Sequence, residues 1–97
     1  MEIIFALRYH PKVVAEDIPS LSRSWKLRIK KAIEDKLTYS PEKFGKPLRQ
    51  SLRGYRNLRI GDYRVVFRID GTSVFILAIL HRSVAYKDTF TRSQRGD

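Results

Sequence analysis

The segment Arg56 to Leu80, RNLRIGDYRVVFRIDGTSVFILAIL, constrains the fold more than any other part of the chain. Arginine and apolar residues alternate from Tyr55 to Ile60 and again from Tyr63 to Ile69, the period of a strand with one face covered and the other polar. Gly61-Asp62 joins these strands tightly, and Asp70-Gly71 is a strong hairpin signal. Every residue from Val74 to Leu80 is apolar, which suits a central strand buried on both sides.

The preceding half reads as a strand followed by helices. Ile3 to Leu7 form a near-continuous apolar run, predicting a first strand over Glu2 to Arg8 with both faces largely covered. Pro11 opens a short helix as a first-turn proline, Val13, Val14 and Ile18 line one side of it, and Pro19 ends it. Ser22 has the chemistry of an N-cap. Beyond it Leu21, Trp25, Ile29, Ala32, Ile33 and Leu37 recur at helical spacing, predicting an amphipathic helix from Ser22 to Leu37. Trp25 lies on the apolar stripe, so it is a core anchor rather than a stacking platform. Arg23, Lys26, Lys30 and Lys31 form the outer row, read as a solvated helix face in preference to an RNA contact. Pro41, Gly45 and Pro47 break the chain into a loop from Ser40 to Pro47. Tyr86 to Arg92 suits a short terminal helix or tail. The order is β-α-α-β-β-β. It predicts an α+β fold in a single domain spanning 1–97, with the two N-terminal helices packed on one face of a mostly antiparallel, twisted sheet.

Charge narrows the function. Twenty lysines and arginines stand against ten acids, giving a net charge of +10 and a pI near 10.3. Eight of the twenty fall between Lys43 and Arg68, where Asp62 is the one acid. Arginines concentrated on strands repel one another unless something anionic sits on them, and phosphate is the obvious candidate. Cysteine is absent, so there is no disulfide framework and no thiolate nucleophile. No run approaches the ~18 apolar residues of a membrane span, and MEIIFALRYH lacks the basic start of a signal peptide. A cytoplasmic protein that does not meet a membrane is the expectation.

Period two puts Tyr55, Asn57 and Arg59 on one strand face, and Arg64, Val66 and Arg68 on one face of the next, with Tyr63, Val65, Phe67 and Ile69 turned to the core. A tight hairpin brings Arg59 near Arg64, where a bidentate phosphate would relieve their repulsion. Pairing with Asp62 or Asp70 is the competing explanation. His81, Arg82 and Tyr86 follow the apolar strand and add a proton-transfer group, a further cation and an aromatic ring. His81 alone is ambiguous, since a strand-end histidine is as often a surface capping group; Tyr86 could simply pack on the core. Together with the arginines, the set suits cleavage of RNA without a metal: the ribose 2′-OH attacks phosphorus, an acid protonates the leaving 5′-oxygen, and cations stabilise the phosphorane. Histidine, with an ordinary pKa of about 6.5, is the natural proton carrier near neutrality. No Asp/Glu/His cluster has metal-ligand spacing, which argues against a two-metal nuclease. There is no Gly-rich phosphate loop and no Ser-His-acid set, so no cofactor is expected.

The stretch PEKFGKPLRQSLRGYRNLRIGDYRVVFRIDG, followed by VFILAILHRSVAY, resembles the RelE/ParE superfamily of bacterial and archaeal type II toxins. The likeness runs from the first strand to Tyr86, and its most specific pieces are LRGY, RIGDYRVVF and HR-x-x-x-Y. It implies the same fold and one of two activities. RelE-type members are ribosome-dependent endoribonucleases that cut mRNA in the decoding site; ParE-type members poison DNA gyrase. By this resemblance Arg53 is the basic residue of the LRG segment and Arg59 a basic residue of the second strand. Arg64 of GDYR would stabilise phosphate, Arg82 would protonate the leaving group or contact phosphate, and Tyr86 would stack on or orient the nucleotide. His81 matches a histidine seen in many members. Arg53, Arg56, Asn57 and Arg68 are the further candidate RNA contacts. Asn57 stands where the family often has a second basic residue, so either His81 acts as base or the reaction leans on the ribosome to orient the 2′-OH. The implied partners are a cognate acidic antitoxin, assembled with the toxin as a hetero-oligomer, and the ribosome with its mRNA. A plain RNA-binding protein without activity is the third reading.

Overall fold

The computed structural model describes residues 3–94. Its centre is a five-stranded sheet built from β1 (Ala6–Tyr9), β2 (Lys46–Pro47), β3 (Arg56–Ile60), β4 (Tyr63–Asp70) and β5 (Ser73–His81). The spatial order is β1-β5-β4-β3-β2; β1 runs parallel to β5 and every other pairing is antiparallel. β5, apolar from Val74 to Leu80, therefore lies inside the sheet, as its sequence requires.

The helical half follows the apolar stripe. Val13–Asp17 forms a wide turn in which the Ile18 N–H donates to the Val13 carbonyl, five residues back. Helix α1 (Arg23–Ala32) starts at Ser22, whose Oγ accepts the Trp25 N–H at 3.4 Å, and it widens in the same way through Ile33–Leu37. Ile29, Ile33 and Leu37 are buried against Leu58, Ile60, Val65, Phe67 and Ile76 of the sheet. Each such side chain contributes about 1.5–3 kcal/mol by leaving water. Trp25 packs on this cluster, and Arg23, Lys26, Lys30 and Lys31 are exposed, as expected.

Three expectations need correction. The first strand is an edge strand with alternating burial, and Ile3 and Ile4 before it are 57% and 66% exposed; Glu2 lies outside the described residues. The loop from Ser40 to Pro47 contains a one-turn helix, α2 (Pro41–Phe44), begun by its proline, and the short β2. The C-terminal segment takes the helical one of its two expected forms, α3 (Lys87–Gln94).

The last correction matters most for the site: the second sheet face is not simply polar. Leu52 from a 3₁₀ turn (Gln50–Leu52) joins Val66, Phe75, Leu77, Ala78 and Leu80 in a second buried cluster, flanked by Leu48, Tyr55 and Tyr86. A bulge makes this possible. Val66 pairs with Ala78 and Phe67 with Ile76, leaving Leu77 as an extra residue. Leu77 and Ala78 consequently both face the second cluster, while Ile76 and Ile79 face the first.

Candidate nucleic-acid interface

The tight hairpin places Arg59 directly opposite Arg64 in the ladder. Gly61 sits in its turn at φ +58°, and a Cβ there would stand 2.6 Å from Trp25 Cη2, so both the turn and the approach of α1 demand glycine. Asn57 pairs with Val66 on the same face, and Leu80 flanks Arg64 from β5. Among the described residues neither Arg59 nor Arg64 forms an ion pair. The Arg64 Nε and the Asn57 Oδ1 are buried and have no hydrogen-bond partner among the described residues. Arg59 is exposed and Arg64 half-buried at paired ladder positions, and two cations held that near one another repel. An anion seated between them removes that cost.

The other expected residues divide around this pair. Tyr86 is half-buried against the second cluster, on the Arg64 side of the sheet, and its carbonyl accepts the Phe90 N–H at 2.8 Å in the first turn of α3. Arg82 follows β5 at the hairpin end. Its N–H donates to the Asp62 carbonyl at 2.8 Å and its Nε lies 3.6 Å from Asp62 Oδ1, both side chains more than half exposed. Such an exposed pair is worth ~0–1 kcal/mol, so Arg82 is weakly held. Arg53 is exposed just after the 3₁₀ turn.

Arg68 is engaged in holding the fold. Its Nε donates to Asp70 at 2.9 Å and its Nη1 to the Tyr55 hydroxyl at 2.8 Å, while the guanidinium stacks 4.6 Å from the Phe75 ring centre. Burial pulls its pKa down, but hydrogen bonds and the charges of Asp70 and Tyr55 outweigh that, leaving it above the ordinary arginine value. The expected competition from surface carboxylates is therefore met at Arg68 and, loosely, at Arg82, and not at Arg59 or Arg64. Tyr55 was legible on this face by period two; its role in holding Arg68 was not. Arg56 turns to the helix side and donates to the Gly45 carbonyl at 3.1 Å and the Glu42 carbonyl at 3.4 Å.

His81 is not brought into the arginine group. Its ladder partner is Tyr63, and its ring meets Tyr63 edge-on at 5.3 Å, with Tyr63 in turn 4.8 Å from Trp25. That stack belongs to the α1 side of the sheet. His81 Nδ1 is also 2.8 Å from Ser83 Oγ and accepts the Ser83 N–H at 3.2 Å. Among the described residues no three His, Asp or Glu side chains gather as a metal site, and no helix is long and apolar enough to cross a membrane.

Residues 7–86 match the family model described as the ParE toxin of type II toxin-antitoxin system, parDE. The chain belongs to this family of the RelE/ParE superfamily. Toxin RelE of Mycobacterium tuberculosis is 45% identical to it over 53 residues, which are 53% of this chain and 55% of that protein. Toxin RelG of the same organism is 43% identical over 53 residues, 53% of this chain and 61% of its own length. The match thus spans little more than half of these curated relatives. The fold resembles that in the M. tuberculosis toxin–antitoxin complex RelBE2, with a TM-score of 0.77 and 30% identity over 84% of this chain and 95% of that chain. The archaeal RelE–RelB complex of Pyrococcus horikoshii superposes with a TM-score of 0.64 at 27% identity, over 84% of this chain and 99% of that chain. The expected RelE-like α+β fold and toxin family are both borne out.

Proposed function

We propose that this toxin is an endoribonuclease that cuts mRNA on the ribosome without a metal ion. The observation that supports the reading is the Arg59–Arg64 pair, two cations at paired ladder positions without carboxylate partners among the described residues. In the proposed reaction the ribose 2′-OH loses its proton and its oxygen bonds to the adjacent phosphorus. The bond from phosphorus to the 5′-oxygen then breaks, and that oxygen takes a proton. Arg59 and Arg64 stabilise the phosphorane, Arg82 swings from Asp62 to the leaving group, and Tyr86 stacks on the nucleotide. Arg53 guides the strand. His81, stacked on the far side, does not reach this phosphate, so orientation and deprotonation of the 2′-OH fall to the ribosome and solvent. The proposed partners are a cognate antitoxin, as in the RelBE2 and RelE–RelB complexes of its relatives, and the ribosome with mRNA. The proposed location is the cytoplasm.

A second reading, inhibition of DNA gyrase, is favoured by the ParE description of the matched family. Translation in vitro on programmed ribosomes, run beside a gyrase supercoiling assay, separates the two. The nuclease reading expects mRNA cut within the decoding site and normal supercoiling, with Arg64→Ala slowing cleavage about 10²–10³-fold, as loss of one transition-state donor does. Intact mRNA with blocked supercoiling would transfer the function to gyrase.

A further inference from the structure

β3 is covered along only part of its outer edge. β2 pairs with it at Arg56 and Asn57 and reaches no further. The Leu48 N–H donates to the Tyr55 carbonyl at 2.9 Å, so period two turns the backbone of Asn57, and then of Arg59, to the same edge. At Arg59 no strand is left to meet it. The gap opens into a groove of about 380 Å³ between the sheet and the helical layer. Arg59 to Gly61 line one wall. Arg28, Lys31, Asp35 and Lys36 line the other, on one face of α1 and its continuation through Leu37.

The cations there differ in what holds them. Lys31 pairs with Asp35 at 3.1 Å, one turn further on. Arg28, which is exposed, lies 4.8 Å from the Trp25 ring centre, and half-buried Lys36 lies 5.5 Å from that of Phe44. Neither has a carboxylate partner among the described residues. An aromatic face fixes where a cation sits without neutralising it. Arg59 is common to this groove and to the arginine pair, since it is the ladder partner of Arg64.

We propose that this groove continues the nucleic-acid interface: an RNA strand held at Arg59 and Arg64 crosses the open edge of β3 and lays its next phosphates against Arg28 and Lys36. This rests on the RNA reading of the arginine pair and adds the path of the strand beyond it. A phosphodiester chain suits the groove because it brings a charge at every nucleotide and needs no apolar floor. Backbone N–H groups as well as cations take its oxygens, and the Arg59 N–H stands at the crossing as such a donor. Contacts of this kind position a strand without reading its bases, so the groove should hold any sequence.

Fluorescence anisotropy over a range of salt concentrations tests this with two 2′-O-methyl RNAs, in which no 2′-OH is available to attack, one of about four nucleotides and one of about twelve. Each phosphate neutralised on a single strand steepens the slope of log affinity against log salt by about 0.7. Arg28 and Lys36 together then account for about 1.4 on the longer RNA, or about 25-fold in affinity at about 0.1 M salt. The double variant Arg28→Gln, Lys36→Gln should lose that much on the longer RNA and bind the shorter one as the parent does. Arg28→Lys with Lys36→Arg, which keeps both charges, should retain the parent slope, and matching thermal melts show that each variant is folded. A double Gln variant that keeps the parent slope on the longer RNA, or that weakens both lengths equally, would show that the strand does not enter the groove. Poly-L-glutamate of the same charge, binding as tightly as the longer RNA and losing as much in the double variant, would assign the groove to an acidic polypeptide instead. If the parent binds neither RNA, or if Arg64→Gln leaves binding of the shorter one unchanged, the arginine pair itself does not hold RNA, and this inference goes with that reading.

Discussion

Arg64 and Arg68 stand four residues apart on one face of β4 and differ in their surroundings. Arg68 has Asp70, the Tyr55 hydroxyl and the Phe75 ring; Arg64 has a buried Nε with nothing among the described residues to donate to. The same residue type therefore has a structural duty in one case and an unmet charge in the other. Arg68→Ala should lower stability by about 1–2 kcal/mol, because one partly exposed ion pair, one hydrogen bond and one cation–π contact are lost. Arg64→Ala should lower stability by no more than about 0.5 kcal/mol. Urea titration of both variants checks the contrast, and equal losses would mean that Arg64 supports the fold as well. Tyr9 gives a second residue-scale expectation. Burial, and then the charge of Glu34, raise its phenol above the ordinary value. Below about pH 10 the ring is neutral in both folded and unfolded chains. Above that pH the unfolded chain ionises first, so the stability contributed by the neutral ring is lost as pH rises through the folded value. Tyr9→Phe should therefore show a shallower alkaline fall in melting temperature than the parent. Parallel curves would count against the shift.

At the scale of elements, the exposed end of β5 is closed by side chains from two distant helical segments. β1 stops pairing at Ile76. Beyond it the Ile79 N–H donates to Asp17 Oδ2 at 2.9 Å, and the Leu77 carbonyl accepts from Arg92 at 3.0 Å. Asp17 and Arg92 also pair with each other at 2.7 Å, each side chain only 12% exposed, which fastens α3 to the sheet. Removing one member of such a pair leaves a buried charge uncompensated, so Asp17→Ala should cost about 3–5 kcal/mol. Asp17→Asn should cost less, since an acceptor for Ile79 remains. Denaturation together with hydrogen exchange at the Ile79 amide measures both effects; protection of that amide in Asp17→Ala would show that another group caps the strand. This pair was invisible in the sequence because its members are 75 residues apart and neither belongs to a local motif. The hairpins, the Ser22 cap and the α1 stripe were legible because each rests on spacing within one element. The face shared by Arg59 and Arg64 followed from period two for the same reason. The second core cluster did not, because the Leu77 bulge shifts the strand period by one and Val66 sits between two arginines. His81 was misassigned to the arginine group for a related reason. Sequence order places it next to Arg82 at the strand end, but strand alternation and the Tyr63–Trp25 stack turn it to the opposite face.

Across the whole molecule, the excess of ten positive charges is unevenly committed. Arg92 and Arg68 are tied to carboxylates and Arg56 to backbone carbonyls, whereas Arg53, Arg59 and Arg64 have no ion pair among the described residues. A polyanion gains most from cations that have no internal partner to give up. Each phosphate neutralised on a single strand releases counterions and adds about −0.7 to the slope of log affinity against log salt. Three unpaired arginines on the site side give a slope of about −2 for a single-stranded RNA. Arg59→Gln should make that slope shallower by about 0.7, whatever the base sequence, since phosphate contacts position a strand without reading it. Arg68→Gln should weaken the fold and leave the slope unchanged, because its charge is already spent on Asp70 and Tyr55. Fluorescence anisotropy with a labelled RNA over a range of salt concentrations measures both. If the two variants change the slope equally, the charge acts as a diffuse field over the surface. If only Arg59→Gln changes it, binding is localised on the arginines that the fold leaves unpaired.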